Sequence, residues 1–330
     1  MKTLQRLQTT GASLLVALAV AACGGGGSGG SPAPSPTPSP VTPAPVTPPP
    51  PAAVTPPAPE PGAPALTNNT ATDGLNWLNY RRSQAGLSVL TRNSLIDSAA
   101  AGHSNYQRLN KVTHVQEVGK TGFTGVRLLD RLQAVGYATP SYFYGEVISA
   151  SNSTSAVYLA EELITAIYHR FAIFEPRFKE IGAGSVTSAA GYTILTTNFA
   201  ANNGYGPGIG KGNIVTWPVN GKTGVVPNFF SDFEEPDPVD NANEVGYPIS
   251  VHADADVVLT VSSFSIKPRA GANLAVKLLS AAADPEKTTT RSAASIVPLS
   301  VLAANTVYDV SFNGAADGTP VSKSWSFTTK

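Results

Sequence analysis

The stretch YHRFAIFEPRFKEIGAG, residues 168–184, begins on an apolar helical pattern and ends in a strand-like run, so it decides the fold class. Before it, apolar residues recur at helical spacing over 160–167. After it, the runs 181–186 and 192–199 predict two strands joined by a turn at 188–191. Helices that precede and enclose a small sheet predict an α+β domain.

Further patterns upstream extend this domain. Three amphipathic helices and one strand, over 142–148, are predicted, and serines at 153–155 can cap the helix that precedes the quoted stretch. The helices rest on these residues: Leu75 and Leu78 before a stop at Gly86; Leu95, Ile96, Ala99, Ala100, Tyr106 and Leu109 after a cap at Asn93 or Ser94; and Val126, Leu128, Leu129, Leu132 and Val135 before Gly136.

The C-terminal part has a different pattern. Five glycines at alternate positions over 204–212 predict a flexible hinge, and short strand-like runs separated by turns follow it. The predicted strands are 249–251, 257–261, 264–266, 274–279, 307–312 and 325–329. Such a series is typical of a β-sandwich.

The N-terminus has the layout of a secretory signal. Lys2 and Arg6 form a positive region before the apolar run 12–22, which ends at Cys23. Residues 20–23, Val-Ala-Ala-Cys, resemble a bacterial lipobox, which implies cleavage before Cys23 and acylation of its sulfur. Gly24, rather than Asp, follows the cysteine, and by resemblance to Gram-negative lipoproteins this implies sorting to the outer membrane or cell surface. A signal peptide with an incidental cysteine is the alternative.

Residues 23–66 are a Gly/Pro-rich segment. Sixteen of the 28 prolines lie between Pro32 and Pro64. This composition cannot bury enough apolar surface to fold, so a disordered tether is predicted. The chain has 22 basic and 22 acidic residues, which disfavours nucleic acid as a partner. Its single cysteine excludes an intrachain disulfide and a cysteine-based zinc site.

Three histidines and one glutamate are candidates for a site in the α+β domain. His103, His114, His169 and Glu146 are too far apart in sequence to match a local metal or acid/base motif. Taken alone, they favour a structural interpretation.

The surrounding motifs change this interpretation, because together they resemble the bacterial branch of the CAP superfamily. In chain order they are NYRRSQAGLSVL, SAAAGHSNYQRLN, THVQ, DRLQAVGY, GEVIS, YHRFAIFEPRFKEIGAG and YTILTTNFA. The resemblance implies an α-β-α sandwich with a shallow cleft where two histidines and acidic residues meet. The end of the chain, ANTVYDVSFNGAADGTPVSKSWSFTT, resembles bacterial immunoglobulin-like domains.

Together, the composition, the patterns and these resemblances predict five segments. They are a lipoprotein signal peptide at 1–22, a disordered linker at 23–66, a CAP (SCP-like) domain at 67–203, a hinge and connector at 204–247, and an immunoglobulin-like sandwich at 248–330. The last domain is expected to act as a support.

The CAP resemblance places His114, Glu146 and His169 in the cleft. The second acidic position of animal members falls on Ala166, so the tetrad is incomplete. Glu162 lies seven residues before His169, two turns along one helical face, and is a partial substitute for the missing acidic residue. Arg131 follows Asp130, and this pair either contributes an ion pair near the cleft or lies on a solvated surface, of which the surface is favoured.

Two imidazoles and a carboxylate suit Zn²⁺ or another divalent cation, with a position left open. Three functions follow. The protein binds a metal or a lipid, glycan or peptide ligand at the cell envelope, it is a metal-dependent hydrolase that uses the same three side chains, or it is structural or adhesive. Binding is favoured over catalysis.

Three other features are assigned no function. His103 and His252 are predicted to be structural histidines. The acidic residues of 232–240 are predicted to form a solvated connector.

Overall fold

A computed structural model describes residues 60–137 and 142–330. The predicted signal peptide, Cys23 and nearly all of the tether lie outside the described residues. No helix among the residues described is long and apolar enough to span a membrane.

The first two helices agree with the predicted stop at Gly86 and with the predicted cap at Asn93. Helix α1, Thr70–Gln84, begins at Asn69, and helix α2, Ser94–Leu109, begins at Asn93. In each case the asparagine side chain accepts a hydrogen bond from a backbone N–H of the first turn, as an N-cap does. These helix limits were therefore predictable from local sequence.

The next three helices include one correction. Helix α3 is Leu128–Ala134, α4 is Ala156–Thr165 and α5 is Ile167–Ile173. The prediction of one helix through Ile167 was wrong, because Ala166 has ψ 117° and its extended backbone separates α4 from α5. Glu162 and His169 therefore lie on different helices.

The sheet of this first lobe has the order β1-β3-β4-β2, with β2 at an edge. Its strands are β1, Thr91–Arg92; β2, Tyr142–Ser151; β3, Glu180–Thr187; and β4, Thr193–Asn202. Strand β1 runs parallel to β3, and the other pairs are antiparallel. The predicted α+β content is confirmed.

Helices cover both faces of this sheet. On one face, Ile96 and Leu132 pack near Ala200, whereas Leu75 and Leu163 belong to the core cluster that contains Leu195. Helix α2 lies very close to β3, since a Cβ at position 184 would come within 2.3 Å of the Ala101 Cα. Glycine at 184 is thus required by packing, and the layers are consistent with an α-β-α sandwich.

The second lobe is all β. One sheet has the order β10-β11-β8-β5, a second has β13-β12-β9, and β6 pairs with β7. Its strands are β5, Val215–Trp217; β6, Asn228–Phe230; β7, Glu244–Gly246; β8, Ile249–His252; β9, Leu259–Pro268; β10, Val276–Ser280; β11, Ala293–Pro298; β12, Val307–Ala316; and β13, Thr319–Thr328. The immunoglobulin-like assignment stays a prediction.

Three details of this lobe differ from expectation. The runs 257–261 and 264–266 were predicted as two strands, but β9 covers most of both without interruption. Strand β11 was missed, because all its residues are buried and it shows no alternation. Strand β5, inside the predicted connector, pairs with β8.

The glycine-rich segment is pinned to the second lobe. The buried Asp254 carboxylate accepts hydrogen bonds from the Ile209 and Gly210 N–H groups, at 2.8 and 3.1 Å. Gly208 has φ +67°, and a Cβ there would lie 2.3 Å from an Asp254 oxygen. The glycines thus permit close approach, and the expectation of a free hinge was wrong at these positions.

The two lobes share one hydrophobic core, which includes Phe174 and Trp217. The Phe174 ring makes edge contacts with Trp217 at 5.0 Å and with His252 at 5.5 Å. Buried Arg170 donates a 2.7 Å hydrogen bond to the Pro248 carbonyl. Since Arg170 lies in α5 and Phe174 is the C-cap residue of that helix, the helix that carries His169 also contacts the second lobe.

Candidate functional site

The first part of the site is built around Glu146, on edge strand β2. Arg131 on α3 donates two hydrogen bonds of 2.8 Å from Nη2, one to each Glu146 oxygen. His114, in the segment after α2, lies with Nδ1 2.9 Å from Glu146 Oε1. Arg131 is fully buried, which decides between its two predicted placements in favour of the ion pair.

Arg131 stabilises the ionised form of the Glu146 carboxyl. Burial would raise the pKa of this carboxyl, but the Arg131 guanidinium and the neighbouring histidines hold it well below its usual range. An ionised carboxylate only accepts hydrogen bonds, so the His114 Nδ1 must be the donor. The His114 Nε2 atom therefore bears the lone pair.

His103 adds a second layer to this cluster. Its Nε2 lies 2.8 Å from the Thr113 carbonyl, which can only accept, and its Nδ1 lies 2.8 Å from Gln116 Nε2. Burial lowers the pKa of His103 to about 4, so the ring is neutral at pH 7. It is a buried, satisfied histidine, as predicted, yet its Nε2 is only 3.7 Å from Glu146.

The second part of the site is built around Glu234, which sequence reasoning placed in a solvated connector. That prediction was wrong for this residue, which is buried at the N-terminus of α5. Its carboxylate accepts hydrogen bonds from the N–H groups of Ile167, Tyr168 and His169, at 2.7, 2.7 and 3.0 Å. It also lies 2.9 Å from His169 Nδ1.

Glu234 caps the N-terminus of α5 from a distant part of the chain. Ala166 is the N-cap residue of α5 and has no side-chain acceptor, so the first N–H groups of the helix need another partner. Glu234 supplies it, and a negative charge is favourable at this end of a helix. No local signal in the sequence reveals this pairing, because the two residues are 68 positions apart.

The two imidazoles reach the site from opposite layers of the sandwich. Glu146 pairs across the sheet with Asn198, on the face that α2 covers, whereas Gly145 lies against Phe178 and Ala172 on the other face. His169 is on α5, the helix that contains Ala172. Burial is the main cause that lowers the pKa of His114, and an electrostatic contribution from His169 acts in the same direction.

Both imidazoles leave one nitrogen unused. The Nε2 atoms of His114 and His169 are buried and have no hydrogen-bond partner among the described residues. His169 is fully buried and His114 is 7% exposed. The site is therefore enclosed, in contrast to the shallow cleft that the resemblance implied.

Glu162 occupies a peripheral position. It is half-buried on α4, and its only hydrogen bond with another described side chain is a 3.4 Å contact from Ser149 Oγ. Burial raises its pKa. It interacts electrostatically with His169 without a hydrogen bond, so the structure gives the orienting role at His169 to Glu234.

The predicted set of His114, Glu146 and His169 does not form a ligand trio. Arg131 holds both Glu146 oxygens and His114 holds one of them, so Glu146 orients a histidine. No group of three or more His, Cys, Asp or Glu side chains arranged to hold a metal occurs within residues 60–137 and 142–330. Two imidazole nitrogens are the groups left to meet a ligand.

Solved structures provide distant comparisons. An extracellular protein containing an SCP domain from Bacillus anthracis str. Ames is 23% identical, with a TM-score of 0.34, and the match covers 40% of each chain. A cysteine-rich secretory protein from Staphylococcus aureus subsp. aureus Mu50 is 16% identical, with a TM-score of 0.28, over 42% of this chain and 40% of that one. The chain thus spans about two fifths of these two proteins.

A third structure, an outer surface protein from Borrelia burgdorferi, is 13% identical with a TM-score of 0.33, over 39% of this chain and 90% of that protein. No curated protein sequence matches the chain. The model of the CAP family, described as the cysteine-rich secretory protein family, matches residues 75–199. Those residues, which contain His114, Glu146 and His169, are therefore a CAP domain.

Proposed function

We propose that this CAP domain binds a divalent cation, Zn²⁺ in the first place, between the Nε2 atoms of His114 and His169. One observation supports the proposal most directly: in the described part of the chain, both imidazoles have Nδ1 at a carboxylate and a buried Nε2 without a hydrogen-bond partner. A buried polar atom without a partner costs about 1–3 kcal/mol, and a shared cation would remove two such costs.

The hydrogen bonds at Nδ1 prepare both rings for this role. A metal-binding histidine usually donates its other N–H to a carboxylate or carbonyl, which fixes the tautomer and raises the basicity of the ligating nitrogen. Glu146 does this for His114 and Glu234 for His169. Both rings are thus presented in the form that a cation requires.

The charges behind the rings also favour a cation. Arg131 balances Glu146, and among the described residues the buried Glu234 carboxylate is bonded to backbone N–H groups and to His169 Nδ1. Two carboxylates, those of Glu146 and Glu234, therefore lie behind the proposed ligand nitrogens. When bound, Zn²⁺ would supply Lewis-acid chemistry next to these two nitrogens.

Binding is favoured over hydrolysis because of Glu146. Its pKa is held far below neutrality and both its oxygens are engaged by Arg131, so it is poorly suited to accept a proton as a general base. The hydrolase alternative predicts chelator-sensitive turnover of peptides, esters or envelope polysaccharides. Absence of turnover together with zinc binding would favour the binder.

Calorimetric titration of Zn²⁺ into the protein at pH 7 tests the proposal. Wild type should show one saturable binding event that disappears in His114→Ala and in His169→Ala. His252→Gln is the matched control, because His252 is also buried but belongs to the second lobe. Equal binding heats in all four proteins, with folding verified by melting temperature, would remove the proposal.

We also propose that the chain is exported and held at the cell envelope by lipid on Cys23. The basic residues Lys2 and Arg6, the apolar run 12–22 and the lipobox-like residues 20–23 support this. In its bacterial host the protein should incorporate labelled palmitate and partition with membranes. Cys23→Ser should abolish both. A wild-type chain that remains unlabelled would contradict anchoring.

A further inference from the structure

The outer face of the three-stranded sheet β13-β12-β9 contains a groove of about 390 Å³, within the size range of ligand sites. Its floor is formed by two rows of side chains that cross all three strands. One row is Lys267, Asp309 and Ser326, and the other is Ser265, Ser311 and Ser324.

Two asparagines stand at the sides of the floor. Asn220 lies beside β13, where its Oδ1 accepts a 3.1 Å hydrogen bond from the Ser326 N–H, and Gly221 donates to the Ser326 carbonyl at 2.7 Å. Asn273 lies beside β9, just before Leu274, whose N–H bonds to the Ile266 carbonyl of that strand. With strands about 4.8 Å apart, the floor is roughly 10 Å wide.

The row next to the groove provides an internal comparison. There, Asn313 donates a 3.0 Å hydrogen bond to Ser263 and accepts one of 2.7 Å from Ser322. These side chains satisfy one another, as cross-strand polar pairs commonly do.

The groove rows differ from this neighbour. Within the described part of the chain, the four serine hydroxyls of the floor make no hydrogen bond to another residue, and neither does the Lys267 ammonium or the Asn273 amide. The only ion pair of the floor that the described residues show joins Asp309 to Arg269, at 2.9 Å. The groove thus presents hydroxyl, amide and ammonium groups that water or a ligand must satisfy.

The hydrogen-bonding groups of the floor indicate which class of ligand the groove can bind. Hydroxyls and amides both donate and accept hydrogen bonds, which matches a ligand that carries many hydroxyl groups. The lining contains one cation and one anion, so it does not form a polyanion site. The apolar residues of the lining, Val310 and Trp325, are buried, so no exposed aromatic or aliphatic platform is present for a lipid.

We propose that this groove binds a short stretch of a neutral glycan chain. The second lobe would then be a carbohydrate-binding module, separate from the histidine site and independent of metal. Together with the predicted tether, such a module would hold the CAP domain against polysaccharide outside the membrane.

Binding of cellohexaose, chitohexaose and maltohexaose to the full chain, measured by calorimetry, tests this proposal. Wild type should bind at least one of these neutral probes, and Ser324→Leu should weaken that binding at least tenfold. Ser322→Leu is the matched control: it changes the same residue type two positions earlier on β13, in the satisfied row. Its affinity should stay within twofold of wild type.

The outcomes separate this proposal from the metal proposal. His169→Ala should leave glycan binding unchanged. The two serine variants should have the melting temperature of wild type, whereas His169→Ala, which removes a buried side chain, is free to differ. Failure of every neutral probe at millimolar concentration, equal effects of Ser324→Leu and Ser322→Leu, or preferential salt-sensitive binding of heparin would each overturn the proposal. None of these results would affect the zinc titration.

Discussion

Replacing Glu234 by glutamine should damage both the fold and the site. The carboxylate accepts hydrogen bonds at Oε2 from Ile167 N–H and at Oε1 from Tyr168 N–H, His169 N–H and His169 Nδ1. Glutamine can keep the oxygen that serves Tyr168 and His169. Its amino group would then face the Ile167 N–H, so that one hydrogen bond is replaced by two opposed donors.

The size of the effect follows from these contacts. One lost hydrogen bond to a charged group costs about 1.5–3 kcal/mol, and the remaining bonds weaken when the charge is removed. We therefore expect Glu234→Gln to lower the free energy of unfolding by about 2–4 kcal/mol. At roughly 2–4 °C per kcal/mol for a protein of this size, the melting temperature should fall by about 5–15 °C.

The same variant tests the function of the contact. Loss of an orienting carboxylate typically reduces metal affinity about 10- to 100-fold, and Glu234→Gln should do so for zinc. Glu235→Gln is the control, because Glu235 is adjacent and exposed and should change stability by less than about 0.5 kcal/mol. Equal melting temperatures and equal zinc affinities for the two variants would refute the reasoning.

Three further predictions concern buried charges. Burial raises the pKa of Glu175 to about 8, so the free energy of unfolding of wild type should fall as pH rises from 4.5 through 8. Glu175→Gln should remove that loss, and thermal melts at pH 9 should show it to be about 2–4 kcal/mol more stable than wild type. Burial lowers the pKa of His103 to about 4 and of His252 to about 3. The free energy of unfolding should therefore fall by about 3 kcal/mol per histidine between pH 6.5 and pH 4, and His252→Gln should make the decrease in melting temperature over this pH range smaller. Arg131→Met should cost about 3–5 kcal/mol, because it leaves the Glu146 charge buried alone, and adding Glu146→Gln should recover part of the lost melting temperature.

Local chemistry explains what was predictable in this fold. Asn93 caps α2 with its own side chain, so the start of that helix is specified within a few residues. Strand β4, Thr193–Asn202, follows a turn and is rich in β-branched residues, and its prediction was correct to within a few positions. The motifs that resemble the CAP family also lie in this part of the chain.

The missed features depend on distant residues. The break between α4 and α5 at Ala166 is stabilised by the Glu234 carboxylate, which comes from the connector. A glycine-rich segment is compatible both with a flexible hinge and with tight packing, and only the position of Asp254 distinguishes them. The acidic connector likewise contains one buried carboxylate among neighbours such as Asp232 and Asp240, which are exposed.

Nitrogen-detected NMR of the imidazole rings tests the central claim most directly. In the metal-free protein, His114 and His169 should both have the proton on Nδ1 and the lone pair on Nε2, because each Nδ1 faces a carboxylate. Addition of zinc should shift the Nε2 signals of these two rings and leave His103 and His252 unchanged. A proton on Nε2 of either ring in the metal-free protein, or zinc-dependent shifts at other histidines only, would contradict the account.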